Sequence, residues 1–271
     1  MTTVGVVLVH SVRTSRTMWR AQLETLKAAG IPTLAIDLPG HGTRIGEPFT
    51  LDEAYATIDA AVDALGGRAV VVGMSLGGYL SIGYTSRHPE KVLSLVAAGC
   101  STTTRSTLRT GWLRLARRIE ASGDSGERLN SFMVRSTLSA AGAQDVAAGG
   151  FALGVMTDAL TAMGDLDPIE ALRAVRCPVR IVNGRFDHFR SQERAFLAAA
   201  RASGQPAWLV VVPRAMHLVS LDAPVAFSRV VLEAVDEVGV RLAGGRPVRP
   251  ASARGSGLEE APGARPSDER G

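Results

Sequence analysis

The chain has 271 residues, of which 46% are apolar and 21% charged, the balance of an ordinary soluble globular protein and not of a disordered or fibrous one. Thirty basic against twenty-six acidic residues leave a net charge of +4, too thinly spread for the dense basic stripe of a nucleic-acid binder. No apolar run approaches the ~20 residues of a membrane span, and Met1-Thr2-Thr3 runs straight into Val4 without a basic leader or cleavage site, so a cytoplasmic protein is expected.

Over the first hundred residues, β-branched runs at Gly5–Val9, Thr33–Ile36, Ala69–Val72 and Val92–Ala97 alternate with helical spacing at Trp19–Ala29, Leu51–Leu65 and Gly77–His88. Continuous apolar runs suit buried parallel strands, and parallel pairing requires helical crossovers. The alternation resumes with strands at Val179–Val182 and Leu209–Val212 and helices at Gln192–Ala202 and Val225–Leu242. The expectation is an α/β fold: a mostly parallel open sheet of six strands with helices on both faces.

Between residues 101 and 175 the alternation stops. Leu108, Trp112, Leu115 and Ile119 recur at helical spacing, and no strand is convincing. So long an insertion after the fourth strand reads as a helical cap over the sheet. The core is thus expected at 1–100 and 176–242. From Ala243 the composition turns to Gly, Pro, Ser, Arg and Glu, and a disordered tail is expected over 243–271. Cys100 and Cys177 are isolated, with no Cys/His cluster; neither a disulfide framework nor a metal site is expected, and no cofactor.

The most informative stretch is Gly73-Met74-Ser75-Leu76-Gly77, a G-x-S-x-G pattern between a strand and a helix. Such a turn strains the backbone at Ser75 and lifts its hydroxyl above the sheet edge, and a Cβ at either glycine would crowd it. The Leu76 amide then opens a helix, where it stabilises negative charge. A serine needs a base within reach, and the base an orienting acid. Asp187 follows the strand at Val179–Val182, and His217 follows the last strand. Both lie beyond carboxyl ends of parallel strands, where open sheets gather their active-site loops.

These pieces, with Val9-His10-Ser11-Val12 and Asp37-Leu38-Pro39-Gly40-His41-Gly42, resemble an α/β-hydrolase from about Val4 to Leu242. The resemblance implies Ser75 as nucleophile, Asp187 as triad acid, His217 as base, and the backbone N–H groups of Val12 and Leu76 as the oxyanion hole. It also implies that His10 and His41 shape loops. His188 is the rival base, although its place beside Asp187 in sequence tells against it. Asp37 reads as a turn former. Ser11 stands where the family usually has glycine, either as a tolerated small residue or as a hydroxyl that contacts substrate. With Met18-Trp19 it is locally similar to the enol-lactonase branch. The antiparallel strand pair that often opens family members is not expected here.

The implied function is hydrolysis of a carboxylic ester, a lactone among them, through an acyl-enzyme, with a small-molecule ester as partner. Thioester or C–C bond hydrolysis on the same triad, or ligand binding without turnover, are the alternatives. Trp112, Phe132, Phe151, Met156 and Met163 are candidates either for an acyl pocket or for the core of the cap. Arg105, Arg109, Arg114, Arg117 and Arg118 either form a cationic mouth or decorate the solvated face of a helix.

Overall fold

The computed structural model describes residues 4–105, 107–121 and 127–245. Its strands are β1 (Gly5–Val9), β2 (Thr33–Ile36), β3 (Ala69–Met74), β4 (Val92–Ala98), β5 (Val179–Gly184) and β6 (Ala207–Val212). They form one sheet in the order β2-β1-β3-β4-β5-β6, with every neighbouring pair parallel. Each strand falls where the apolar runs place it; β3, β5 and β6 run two residues longer and β4 one.

Alternation of side chains sends successive valines to opposite faces. Val7, Val9, Val71 and Ile181 join one core, while Val6, Leu8, Val70, Val72 and Val182 join the other. Burying a valine in this way contributes about 1.5–3 kcal/mol relative to exposure. Burial on both faces explains why the strands read as continuous apolar runs.

In chain order the helices are α1 (Arg20–Ala28), α2 (Leu51–Ala64), α3 (Leu76–Arg87), α4 (Thr107–Glu120), α5 (Glu127–Thr137), α6 (Ala140–Ala148), α7 (Met156–Ala162), α8 (Pro168–Ala174), α9 (Glu193–Ala202), α10 (Val219–Asp222) and α11 (Pro224–Leu242). α1 and α11 cover one face of the sheet; α2, α3, α8 and α9 cover the other. Residues 101–175 contain helices and no strand among the described residues. Within that stretch, α4 to α7 supply walls of a cavity above the strand ends. α8 is different: it packs on α3 and α9 beside the sheet.

Helix α11 closes in a turn at Ala243 and Gly244, whose amides donate to the Gly239 and Arg241 carbonyls. The remainder of the expected tail, from residue 246, lies outside the described residues, as do the side chains of Leu108 and Arg109. No single described helix is long and apolar enough to cross a membrane.

Candidate active site

Ser75 caps α3 at φ 54° and ψ −114°, a left-handed backbone that a side chain rarely adopts. Its amide donates to the Ala98 carbonyl at 2.7 Å. The two flanking glycines make this turn possible. A Cβ on Gly73 would strike the Gly77 carbonyl and Ser81 Oγ, and one on Gly77 would strike the Val9 carbonyl. The Gly77 amide instead donates to the His10 carbonyl at 3.1 Å, which fastens the elbow to the loop after β1.

That loop is set by His10, which is fully buried. Its Nε2 accepts the Leu38 amide at 3.0 Å, and its Nδ1–H donates to the Ser11 carbonyl at 2.7 Å. Only a neutral imidazole can do both. Burial, with the neighbouring His41 adding to it, lowers the His10 pKa to about 3. His41 donates to the Pro39 carbonyl, and burial takes its pKa down to about 4. Asp37 accepts the Arg16 and Thr43 amides and the Thr43 hydroxyl. It is a loop-fixing carboxylate, as its turn position suggests. Val12 and Leu76 follow these anchors and Ser75, line the same cavity, and donate their amides to nothing among the described residues.

Asp187 and His217 arrive from loops laced together: the Arg185 and Phe186 amides donate to the Val212 and Ala215 carbonyls. Gly184 permits the approach, because a Cβ there would strike the carbonyls of Ala215 and Met216. The Met216 amide donates to Asp222 at 2.8 Å. His217 therefore passes over the end of β4, where Gly99 leaves room beneath its imidazole. Its Nε2 stands 3.0 Å from Ser75 Oγ and its Nδ1 2.9 Å from Asp187 Oδ1. The Asp187 side chain is wholly buried and that of His217 is 19% exposed. A buried carboxylate on Nδ1–H leaves Nε2 free to accept the serine proton.

The other histidines lie elsewhere or face other groups. His88 is partly exposed at the end of α3 and stacks on Tyr84. His188 packs against His217, with ring centroids 5.1 Å apart, and Trp112 lies beyond it at 6.4 Å. Burial, and then the charge of His217, push its pKa down. His188 thus flanks the imidazole and does not replace it.

A cavity of about 350 Å³ opens over Ser75. Ser11, Trp112, Met156 and Met163 line it together with Leu115 and Ile119. Two of the aromatic candidates do not. Phe132 is 65% exposed, and Phe151 packs against the core on the α11 side of the sheet. Phe132 stands on α5 and Phe151 in the connection after α6, and a single aromatic residue in the sequence carries no information on which way it faces. Arg105, Arg114, Arg117 and Arg118 are exposed and absent from the cavity wall, which favours the solvated-face reading of that run. Arg13, which no motif marks, also lines the cavity, at φ 61°. Its place directly after Val12 was the available signal. Among the described residues no group of His, Cys, Asp or Glu is arranged to hold a metal.

Residues 6–230 match the family model described as the alpha/beta hydrolase family. A pimeloyl-[acyl-carrier protein] methyl ester esterase of Aromatoleum aromaticum is 30% identical over 207 residues, 67% of this chain and 78% of that protein. Other curated relatives are matched over only 35% and 34% of their own length. Among solved structures, a hydrolase from Pseudomonas aeruginosa PA01 superposes with a TM-score of 0.72 at 23% identity, over 86% of this chain and 89% of that one. The enol-lactonase from Burkholderia xenovorans LB400 does so with a TM-score of 0.63 at 19% identity, over 86% and 92%. The chain belongs to the alpha/beta hydrolase family.

Proposed function

We propose that this chain hydrolyses carboxylic esters through an acyl-enzyme on Ser75. The observation that carries the reading is the unbroken relay from Asp187 through His217 to Ser75 Oγ, beside the amides of Val12 and Leu76, which have no partner among the described residues. Ser75 Oγ attacks the ester carbonyl while His217 Nε2 takes its proton. The carbonyl oxygen, now negative, is stabilised by the Val12 and Leu76 N–H groups, a donor of this kind contributing about 3–4 kcal/mol. His217 returns the proton to the leaving alcohol. Water then repeats the sequence on the acyl group, with His217 as its base. Asp187 holds the imidazole in one tautomer throughout.

The apolar walls above Ser75 suit an aliphatic acyl chain, and α4 to α7 act as the cap that selects it. Ser11 and Trp112 are the proposed substrate contacts. The name of the Aromatoleum relative, a methyl ester esterase, supports an oxygen ester over a thioester or a C–C bond. The test is a chain-length panel of ethyl esters, matched thioesters and lactones, assayed with wild type and Ser75→Ala. Turnover of the oxygen esters, abolished in Ser75→Ala, is expected. Faster turnover of the thioesters at every length would move the assignment to thioester hydrolysis.

A further inference from the structure

Arg13 is the one Asp, Glu, Lys or Arg among the described residues that line the cavity. Its Nε and Nη2 are closed off from solvent and have no hydrogen-bond partner among the described residues. Nor does it form an ion pair there. The nearest acid in influence, Glu120, acts on it from beyond ion-pair distance and is itself engaged by the Thr157 amide and hydroxyl. A guanidinium keeps its charge, and two of its N–H-bearing atoms closed off from water without a partner are a standing penalty on the fold.

The backbone makes the same point. Among the described residues Arg13 is one of three non-glycine residues at positive φ, the others being Ser75 and Arg214. Glycine would relieve that strain, yet the position holds a long cation. Strain of this kind is kept where a site uses the residue.

We propose that Arg13 recognises an anionic group on the acid portion of the substrate, so that the enzyme prefers half-esters of dicarboxylic acids. The proposal rests on the acyl-enzyme reading given above. That reading also decides which end of the ester meets Arg13. The leaving alcohol must lie toward His217, which reaches Ser75 from the β5–β6 side of the sheet. Arg13 comes from the loop after β1, on the opposite side of β3. A carboxylate on the acyl chain is therefore the group that arrives beside it. A rotation of this flexible side chain presents the unpaired edge, and Arg matches a carboxylate with two parallel N–H donors. The remaining wall, largely apolar, accommodates the methylenes between the two carboxyl carbons.

The experiment compares kcat/KM for monoethyl half-esters from succinate to suberate with ethyl esters of the matching neutral acids. It uses wild type, Arg13→Gln and Arg13→Gly; the glycine variant suits the left-handed backbone and so guards against misfolding. At the best chain length, both substitutions are expected to lower the half-ester value about 10- to 100-fold more than the neutral-ester value. An equal loss on both substrates, or a wild type that disfavours half-esters at every length, would overturn the proposal. A second readout needs no turnover: adipate should raise the melting temperature of Ser75→Ala but not of Ser75→Ala/Arg13→Gly. If wild type hydrolyses neither series and fails to label at Ser75, the acyl-enzyme reading falls and this one with it. Neutral esters turned over without a half-ester preference would remove Arg13 alone.

Discussion

Asp187 offers a single oxygen, Oδ1, to both the Nδ1–H of His217 at 2.9 Å and the Phe189 amide at 2.8 Å. Its Oδ2 is buried with no partner among the described residues. The carboxylate is thus positioned by its own loop while half of its hydrogen-bonding capacity is unmet. Stability is given up at this point for orientation of the imidazole.

Asp187→Asn should separate those two roles. The amide removes an uncompensated charge, so the melting temperature is expected to stay level or rise. It also favours the wrong imidazole tautomer, and kcat is expected to fall by about 10³–10⁴-fold. Thermal unfolding and steady-state assays on the same preparation check both halves.

The glycines divide into two kinds. Gly77→Ala forces a Cβ into the Val9 and His10 carbonyls, backbone atoms that cannot step aside, and a loss of at least about 3 kcal/mol is expected. Gly111 lies on the exposed side of α4, and nothing stands within 4 Å of where a methyl group would sit. Gly111→Ala should therefore stabilise the helix by about 0.5–1 kcal/mol. Denaturant unfolding of the pair gives opposite signs.

His10 and His41 make stability depend on pH. Unfolded histidines take up protons below about pH 6.5, whereas in the fold burial holds these two neutral down to about pH 3 and about pH 4. Unfolding therefore absorbs up to two protons as pH falls from about 6.5 to about 5, and stability falls with it. Each histidine contributes up to about 1.4 kcal/mol per pH unit. Urea titrations across that window should show the slope, and His41→Gln should remove about half of it.

Trp112 stands at the cavity wall next to His188. Trp112→Ala is expected to shift the preferred acyl chain to longer lengths, by opening space along the cap side. Phe132→Ala, at an exposed position, should leave the chain-length profile as it is. The ethyl ester series reads both.

Much of this was legible in the sequence because the signals are local. Buried parallel strands are short apolar runs, and G-x-S-x-G at a strand end specifies its own turn through steric exclusion at Gly73 and Gly77. The placement of Asp187 and His217 followed from topology, since both sit just past parallel strands of one sheet. What stayed hidden depends on three-dimensional neighbours. The helical spacing of Trp112, Leu115 and Ile119 marks an apolar face, but only the fold shows that this face meets the cavity, and that Phe132 on α5 faces solvent. The packing of α8 on α3 and α9 is likewise invisible from its seven residues. Arg13 was hidden because an arginine in a loop reads as surface. Its left-handed backbone and missing partner exist only in the folded chain.

The most direct measurement is mass spectrometry after reaction with a fluorophosphonate, on wild type, Ser75→Ala and His217→Ala. An activated serine predicts one adduct, on Ser75 in wild type, with none in Ser75→Ala and a labelling rate reduced by orders of magnitude in His217→Ala. A folded wild type that takes up no label, or labelling at Ser75 that is as fast without His217, would contradict the relay on which the account rests.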